Sequence, residues 1–483
     1  MAQPMPAENI FLNFPWGPIQ MECDARDLVV EGEIPADLHG TLYRNGPNQR
    51  FRPRGDYHLF AGDGMVHAFR IENGKVDYRN RWVRTAKWKI EDKEGRAVVN
   101  AMNPFDCEPE YSDFVLVDKE GLANTALVWH AGRLLAMEEG HPPYELDPVS
   151  LDSIGTWTFR GKLHTAMTAH PKVDPATGEM VFFAYMATGP FAADVMVHKV
   201  DPRGLLAESI HIPTPYSSMV HDFVITENYI VIPVMPISGS LERAMVGGPP
   251  FAWEPDKGMH IGILPRHGGT AADIRWLDMD LAFAFHFMNG FDRDGVITVD
   301  ACQMPHAPLF PTVDGKSTGK AEPYLTRWTI DMNAEAPRVE FERIDEYQSE
   351  FPQCDPRYVG KPYRHGWYTS PDGELRSVMK ENDNYFNTIG HFDHETGAVD
   401  RFSCGQALTS EALFVPKPGS SAEGEGYVLS VVTSFETRTS SLYIFHSLQL
   451  VAGPLAIARL SHCVPAGFHG TWRAGATGQG PSG

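Results

Sequence analysis

Residues 467–472 read Gly467-Phe468-His469-Gly470-Thr471-Trp472, placing a histidine between glycines in the last apolar segment of the chain. Glycines on either side permit close backbone approach, and an imidazole in such surroundings suits a metal ligand better than a packing residue. Three upstream histidines stand in similar company: His170 in Met167-Thr168-Ala169-His170-Pro171, His221 in Met219-Val220-His221-Asp222-Phe223, and His286 in Phe283-Ala284-Phe285-His286-Phe287. The intervals along the chain are 51, 65 and 183 residues. Four-stranded propeller blades repeat at about 40–50 residues, longer with insertions, so one histidine per blade would bring all four to a central axis. A sandwich has no such axis. The spacing therefore predicts an all-β propeller with a shared metal.

Composition agrees with a β-rich chain. The 483 residues include 44 Gly and 38 Pro, with 42% hydrophobic and 21% charged content, which implies many turns and few long helices. Asn73-Gly74 between two alternating runs is a hairpin signal, and Asp294-Gly295, Arg203-Gly204 and Thr396-Gly397 punctuate other candidate strands. Only the stretches near 240–245 and 270–275 have helical character, and both read as loop insertions. No linker splits the chain, so the expected organisation is an arm over residues 1–25 and one domain over 26–483.

A formal charge of −21 repels phosphate backbones and anionic membranes, which excludes nucleic acid as the natural partner. The six cysteines show no metal-binding or disulfide spacing. With no leader-like start and no apolar run long enough to span a bilayer, a soluble cytoplasmic protein is expected. The loop over residues 235–253, ending Val246-Gly247-Gly248-Pro249-Pro250-Phe251-Ala252-Trp253, reads as an apolar lip capable of transient lipid contact at most.

The chain lacks the motifs of serine hydrolases, P-loop enzymes, dinucleotide-binding folds and zincins. Metal-bound imidazoles need partners on the other ring nitrogen, which draws attention to carboxylates in apolar settings: Glu139, Glu350 and Glu411. His391 and His394, in a polar turn ending Thr396-Gly397, read as solvated instead.

These residues, with Leu42-Tyr43-Arg44-Asn45-Gly46-Pro47-Asn48 and Gly62-Asp63-Gly64-Met65-Val66-His67, resemble the carotenoid cleavage oxygenases, including their lignostilbene-cleaving branch, from about residue 25 to Trp472. The resemblance implies a seven-bladed β-propeller with loop and helical insertions capping an axial Fe(II) held by His170, His221, His286 and His469. It implies that Glu139, Glu350 and Glu411 orient ligand histidines, the fourth histidine having none, and that Thr125 lies beside a vacant coordination position. One departure stands out. Lignostilbene-cleaving members carry a phenol-engaging Tyr two residues before Asn103-Pro104-Phe105 and a Lys before the first of those glutamates; here these places hold Ala101 and Glu138.

The implied reaction is cleavage of a C=C bond in an apocarotenoid, stilbenoid or phenylpropenoid. Splitting C=C into two C=O groups removes four electrons and dioxygen accepts four, so no reductant is needed. A dry aromatic tunnel would position the hydrophobic substrate, with Phe60, Phe105 and Phe310 as candidate walls. Two rivals differ in kind: a lactonase-like propeller hydrolase, which would favour carboxylate ligands around a harder cation, and a non-catalytic propeller scaffold.

Overall fold

The computed structural model describes residues 4–101, 103, 106–117, 120–372 and 385–475. The hairpin signal becomes strands Gly64–Glu72 and Lys75–Trp82, paired through Glu72 and Lys75. Asn73 and Gly74 both take positive φ, 52° and 72°, giving the two-residue turn whose twist matches that of its strands. Asp294 and Gly295 repeat the device, at φ 53° and 79°, between Phe283–Arg293 and Val296–Met304.

Among the described residues there are seven sheets of four to six strands and one two-stranded ribbon. Five of the seven are four-stranded meanders, the repeating element of a propeller blade. They begin at Ala126–His130, Lys172–Val173, Val224–Ile225, Phe283–Arg293 and Glu350–Cys354. The other two combine distant parts of the chain. Gly40–Pro47 lies between Gly64–Glu72 and Gly470–Ala474, while Val29–Gly32 adds to Ala456–Arg459.

The chain divides into two compact units, Met1–Thr158 with Pro371–Gly390 and Asp400–Gly483, and Phe159–Ser370 with His391–Val399. Leu42, Phe69, Leu429 and Ile444 belong to a core in the first; Val181, Phe223, Ile232 and Leu264 belong to one in the second. The anticipated short helices form at Leu241–Met245, capped by Ser240, and as a single 3-10 turn at Ala271–Asp273. Two more helices, Ala86–Glu94 and Ser112–Val117, escape the apolar pattern. In the former, the buried face carries ions: Lys87 Nζ sits 2.8 Å from both Asp63 and Glu91, all three buried.

His391 and His394 correct the reading of a solvated turn. The strand Thr388–Asp393 runs further than the polar residues suggest, so His391 is 7% exposed and its Nε2 lies 3.0 Å from His365 Nδ1. Arg327 donates to His394 Nδ1 at 3.0 Å, and exposed chain begins only at Glu395. The expected lip is also narrower than its sequence. Ala252 and Trp253 are buried in the ribbon, leaving Leu241, Met245 and Val246, 46%, 72% and 85% exposed, as its outward apolar part.

The glycines beside His469 do permit a close approach. A Cβ on Gly46 would stand 2.7 Å from the Cα of Gly467, and one on Gly467 would stand 2.6 Å from the Asn45 carbonyl oxygen. Because these obstacles are backbone atoms, Gly46→Ala and Gly467→Ala are each expected to cost about 1–3 kcal/mol. Gly140→Ala, whose Cβ meets nothing closer than 3.4 Å, serves as the tolerated control in denaturant melts.

Candidate metal centre

Within the second unit, three imidazoles converge. His170 Nε2 lies 3.0 Å from His221 Nε2, and His221 Nε2 lies 3.3 Å from His286 Nε2. A β-bulge places the last of these. Pairing of Phe283–Arg293 with its neighbour jumps between Ala284 and Phe287, re-aiming the residues in between. Thr168 links the other two, donating from Oγ1 to the His221 carbonyl at 3.2 Å and accepting the His170 N–H at 3.3 Å.

Glu350 determines which nitrogen His286 presents. Its Oε2 is 2.5 Å from His286 Nδ1 and accepts the Phe351 N–H at 2.7 Å. A carboxylate accepts, so Nδ1 carries the proton and Nε2 turns a lone pair toward His221. Phe351 pins the arrangement: it adopts φ 50°, an outlier for a bulky side chain, and stacks on His286 with centroids 5.3 Å apart. Phe285 meets His221 edge-on at 5.4 Å.

The donor set suits a transition-metal ion. Two imidazole nitrogens, each about 2.1 Å from one cation and at right angles to one another, stand about 3 Å apart. The observed 3.0 and 3.3 Å separations match that requirement. Nitrogen donors of this kind favour iron, copper, nickel or zinc over calcium or magnesium.

His469, in the first unit, is held as firmly as His286. Glu411 accepts from its Nδ1 at 2.9 Å and from the Gly470 N–H at 2.9 Å. His469, the fourth in chain order, thus has a carboxylate partner of its own. Burial alone would raise the Glu411 carboxyl, but the neighbouring His469, the Gly470 N–H and the Arg44 charge outweigh it and hold the group below its usual range. The backbone is fixed by the Leu42-to-Asn48 motif. Asn45 donates its N–H to the His469 carbonyl at 3.1 Å and accepts the Phe468 N–H at 3.0 Å, while its side chain donates to Ala123 and Ala126.

Thr125 is next to His469 through the main chain: its carbonyl accepts the His469 N–H at 3.1 Å, and its hydroxyl donates to Asn124 Oδ1 at 3.0 Å. The Asn124 amide in turn donates to the carbonyls of Phe60 and Gly62. Phe60 lies 5.7 Å from Phe468, centroid to centroid. Phe310 belongs to the other unit, half-buried and 6.5 Å from Phe285. Glu139 is half-buried just beyond Arg133–Met137.

At the two departure positions, Ala101 is exposed, whereas Glu138 is engaged in its own unit. Glu138 accepts the Leu122 N–H at 2.8 Å and pairs with His141. Burial opposes ionisation there, yet the His141 charge and hydrogen bond prevail and lower the carboxyl below its ordinary value. Phe105 lies outside the described residues. Sequence reading missed the work of Asn45, Phe285 and Phe351; of these, only Asn45 had a signal, as an amide inside a strongly apolar strand motif.

Comparison with known proteins agrees with this chemistry. The family model described as Retinal pigment epithelial membrane protein matches residues 16–474. A lignostilbene-alpha,beta-dioxygenase isozyme III from Sphingomonas paucimobilis is 38% identical over 469 residues, covering 94% of this chain and 95% of the relative. An isoeugenol monooxygenase from Pseudomonas nitroreducens is 34% identical, with 94% and 96% covered. The crystal structure of Pseudomonas brassicacearum lignostilbene dioxygenase superposes with a TM-score of 0.93 at 34% identity, covering 98% of this chain and all of that one. The chain belongs to the carotenoid oxygenase family, whose enzymes use non-haem iron. Its fold class is the seven-bladed β-propeller, with the seven sheets as blades. Among the described residues, no helix is long and apolar enough to cross a membrane.

Glu350→Gln and Glu411→Gln keep the shape of each side chain and remove its charge. Each is expected to weaken metal binding about 10–100-fold while the melting transition stays cooperative, as read by anaerobic metal titration and calorimetry.

Proposed function

We propose that this chain is an iron(II) dioxygenase that cleaves one C=C bond of a hydrophobic conjugated alkene into two carbonyl products. The observation that carries the reading is the His170, His221 and His286 cluster, with facing nitrogens 3.0 and 3.3 Å apart, in a chain matched to the family over residues 16–474. His469 completes the proposed ligand set. In support, His286 and His469 are both buried and each has its Nδ1 held by a glutamate, the arrangement that presents Nε2 to a metal. Two further residues are assigned to the site on the family resemblance: Glu139 would help to orient a ligand, and Thr125, whose carbonyl accepts the His469 N–H, would stand beside the metal.

Iron(II) held by neutral imidazoles keeps its full positive charge and supplies the redox centre that activates dioxygen. The chain's task is to orient the ligands, exclude water and place the alkene. Aromatic faces for that purpose come from Phe60 and Phe468 in one unit and Phe285, Phe310 and Phe351 in the other. A hydrolase reading fares worse, because Glu350 and Glu411 are occupied as imidazole acceptors and do not present a carboxylate cage for a hard cation.

The relatives named for lignostilbene and isoeugenol favour stilbenoids and phenylpropenoids as the first substrates to try, with apocarotenoids next. Aerobic incubation of the iron-loaded protein with resveratrol, isoeugenol, vinylguaiacol and an apocarotenal is expected to yield the paired carbonyl products of at least one, identified by mass spectrometry. A fully iron-loaded protein that cleaves none overturns the proposal.

Glu138 is committed to Leu122 and His141, so neither it nor the exposed Ala101 provides a cation for a developing phenolate. Dependence on a free 4-hydroxyl is therefore expected to be weak, with the phenol and its methyl ether turned over within about tenfold of each other. A preference for the phenol of about a hundredfold, worth ~2.7 kcal/mol, would show that another side chain binds it.

A further inference from the structure

The residue after the second histidine, Asp222, is 3% exposed. Its carboxylate receives three donors. Lys172 Nζ lies 2.7 Å from Oδ1, the Phe223 N–H donates to Oδ1 at 2.7 Å, and the Phe287 N–H donates to Oδ2 at 3.0 Å. The sequence positions of these partners matter. Lys172 is two residues beyond His170, Asp222 directly follows His221, and Phe287 directly follows His286. One carboxylate thus touches all three segments that bear the clustered histidines.

The bulge in Phe283–Arg293 explains how the third partner becomes available. Where pairing with Val296–Met304 changes register at Phe287, the Phe287 N–H points to Asp222 instead. Lys172 sits in a two-residue edge strand, Lys172–Val173, with its ammonium 5.8 Å from the centroid of the Phe223 ring. Its charge makes the contact to Asp222 an ion pair in a setting that excludes most water, where a lost partner costs more than at the surface.

From this geometry we infer that Asp222 is a positioning residue that sets the mutual spacing of His170, His221 and His286. It acts on main chain and on Lys172, one step behind the imidazoles, and so differs from Glu350 and Glu411, which grip the rings. The inference rests on the metal-centre reading above. Without Asp222, the Phe287 N–H and the Lys172 ammonium lose their shared acceptor, and the three segments are free to shift independently. Small displacements suffice, because cis nitrogens on one ion tolerate little change in their separation of about 3 Å.

The test uses the full-length protein stripped of metal and titrated anaerobically with cobalt(II), whose visible absorption bands report ligand geometry. Asp222→Asn retains the size of the side chain but loses the charge and one acceptor. It is expected to bind cobalt about 10–100-fold more weakly and to shift or broaden those bands. Lys172→Met removes a single partner and should move both readouts in the same direction by a smaller factor, about 3–10-fold. It also serves if Asp222→Asn fails to fold.

Asp194→Asn is the control for simple loss of stability. Asp194 is a carboxylate of the same unit, 6% exposed, that accepts from the Ala187 N–H at 2.8 Å and from Thr188 and His211, none of them a clustered histidine or its neighbour. It should lower the melting temperature and leave the cobalt spectrum unchanged. Wild-type affinity and spectrum in both Asp222→Asn and Lys172→Met would overturn the inference. So would changes in them no larger than those of Asp194→Asn. A wild-type protein that binds no cobalt fails differently, since it contradicts the metal-centre reading itself.

Discussion

The hydrogen bond from an imidazole Nδ1 to a buried glutamate is the interaction on which this site depends. A neutral histidine has one donor and one acceptor nitrogen, and only the acceptor can bind metal. Glu350 and Glu411 decide that choice for His286 and His469 by accepting at Nδ1. Each also takes a backbone N–H, from Phe351 and Gly470, which ties the ring to its own strand. Tautomer, ring plane and strand position are therefore specified together.

The β-architecture makes such specification possible. Each of the four histidines precedes or occupies a strand of a different sheet: Lys172–Val173, Val224–Ile225, Phe283–Arg293 and Gly470–Ala474. Regular pairing alone would direct alternate side chains to opposite faces, with no freedom to adjust one residue. Irregularities supply that freedom. The bulge before Phe287 and the register change after Glu350, with Phe351 at positive φ, are two of the places where a strand departs from its ladder, and each carries one partner of the His286 pair.

Much of this was legible from residue order. Apolar context and blade-like intervals single out His170, His221, His286 and His469, and turn pairs such as Asn73-Gly74 and Asp294-Gly295 end the strands where expected. What stayed hidden has physical causes. The helix Ala86–Glu94 buries Lys87 and Glu91 as an ion cluster, so its inward face is charged and shows no apolar period. His391 lies outside the pattern because Arg364 pairs with Asp393 and Arg327 bonds to His394, so a polar string lies over a packed strand. Asn45 looked like one letter of a family motif, whereas its value lies in holding the main chain on both sides of His469 and Thr125. No pattern of residue types announces a phenylalanine at positive φ or an aspartate joining three segments.

The central proposal is that four neutral imidazoles hold one iron. X-ray absorption of the anaerobically reconstituted protein tests it most directly, since the edge and fine structure report ligand type and number. The account predicts one iron per chain in a first shell of nitrogen and oxygen at about 2.1 Å, with the outer scattering of four imidazole rings. A shell dominated by carboxylate oxygen, a sulfur contribution, or iron well below one per chain after saturation and removal of excess would contradict it.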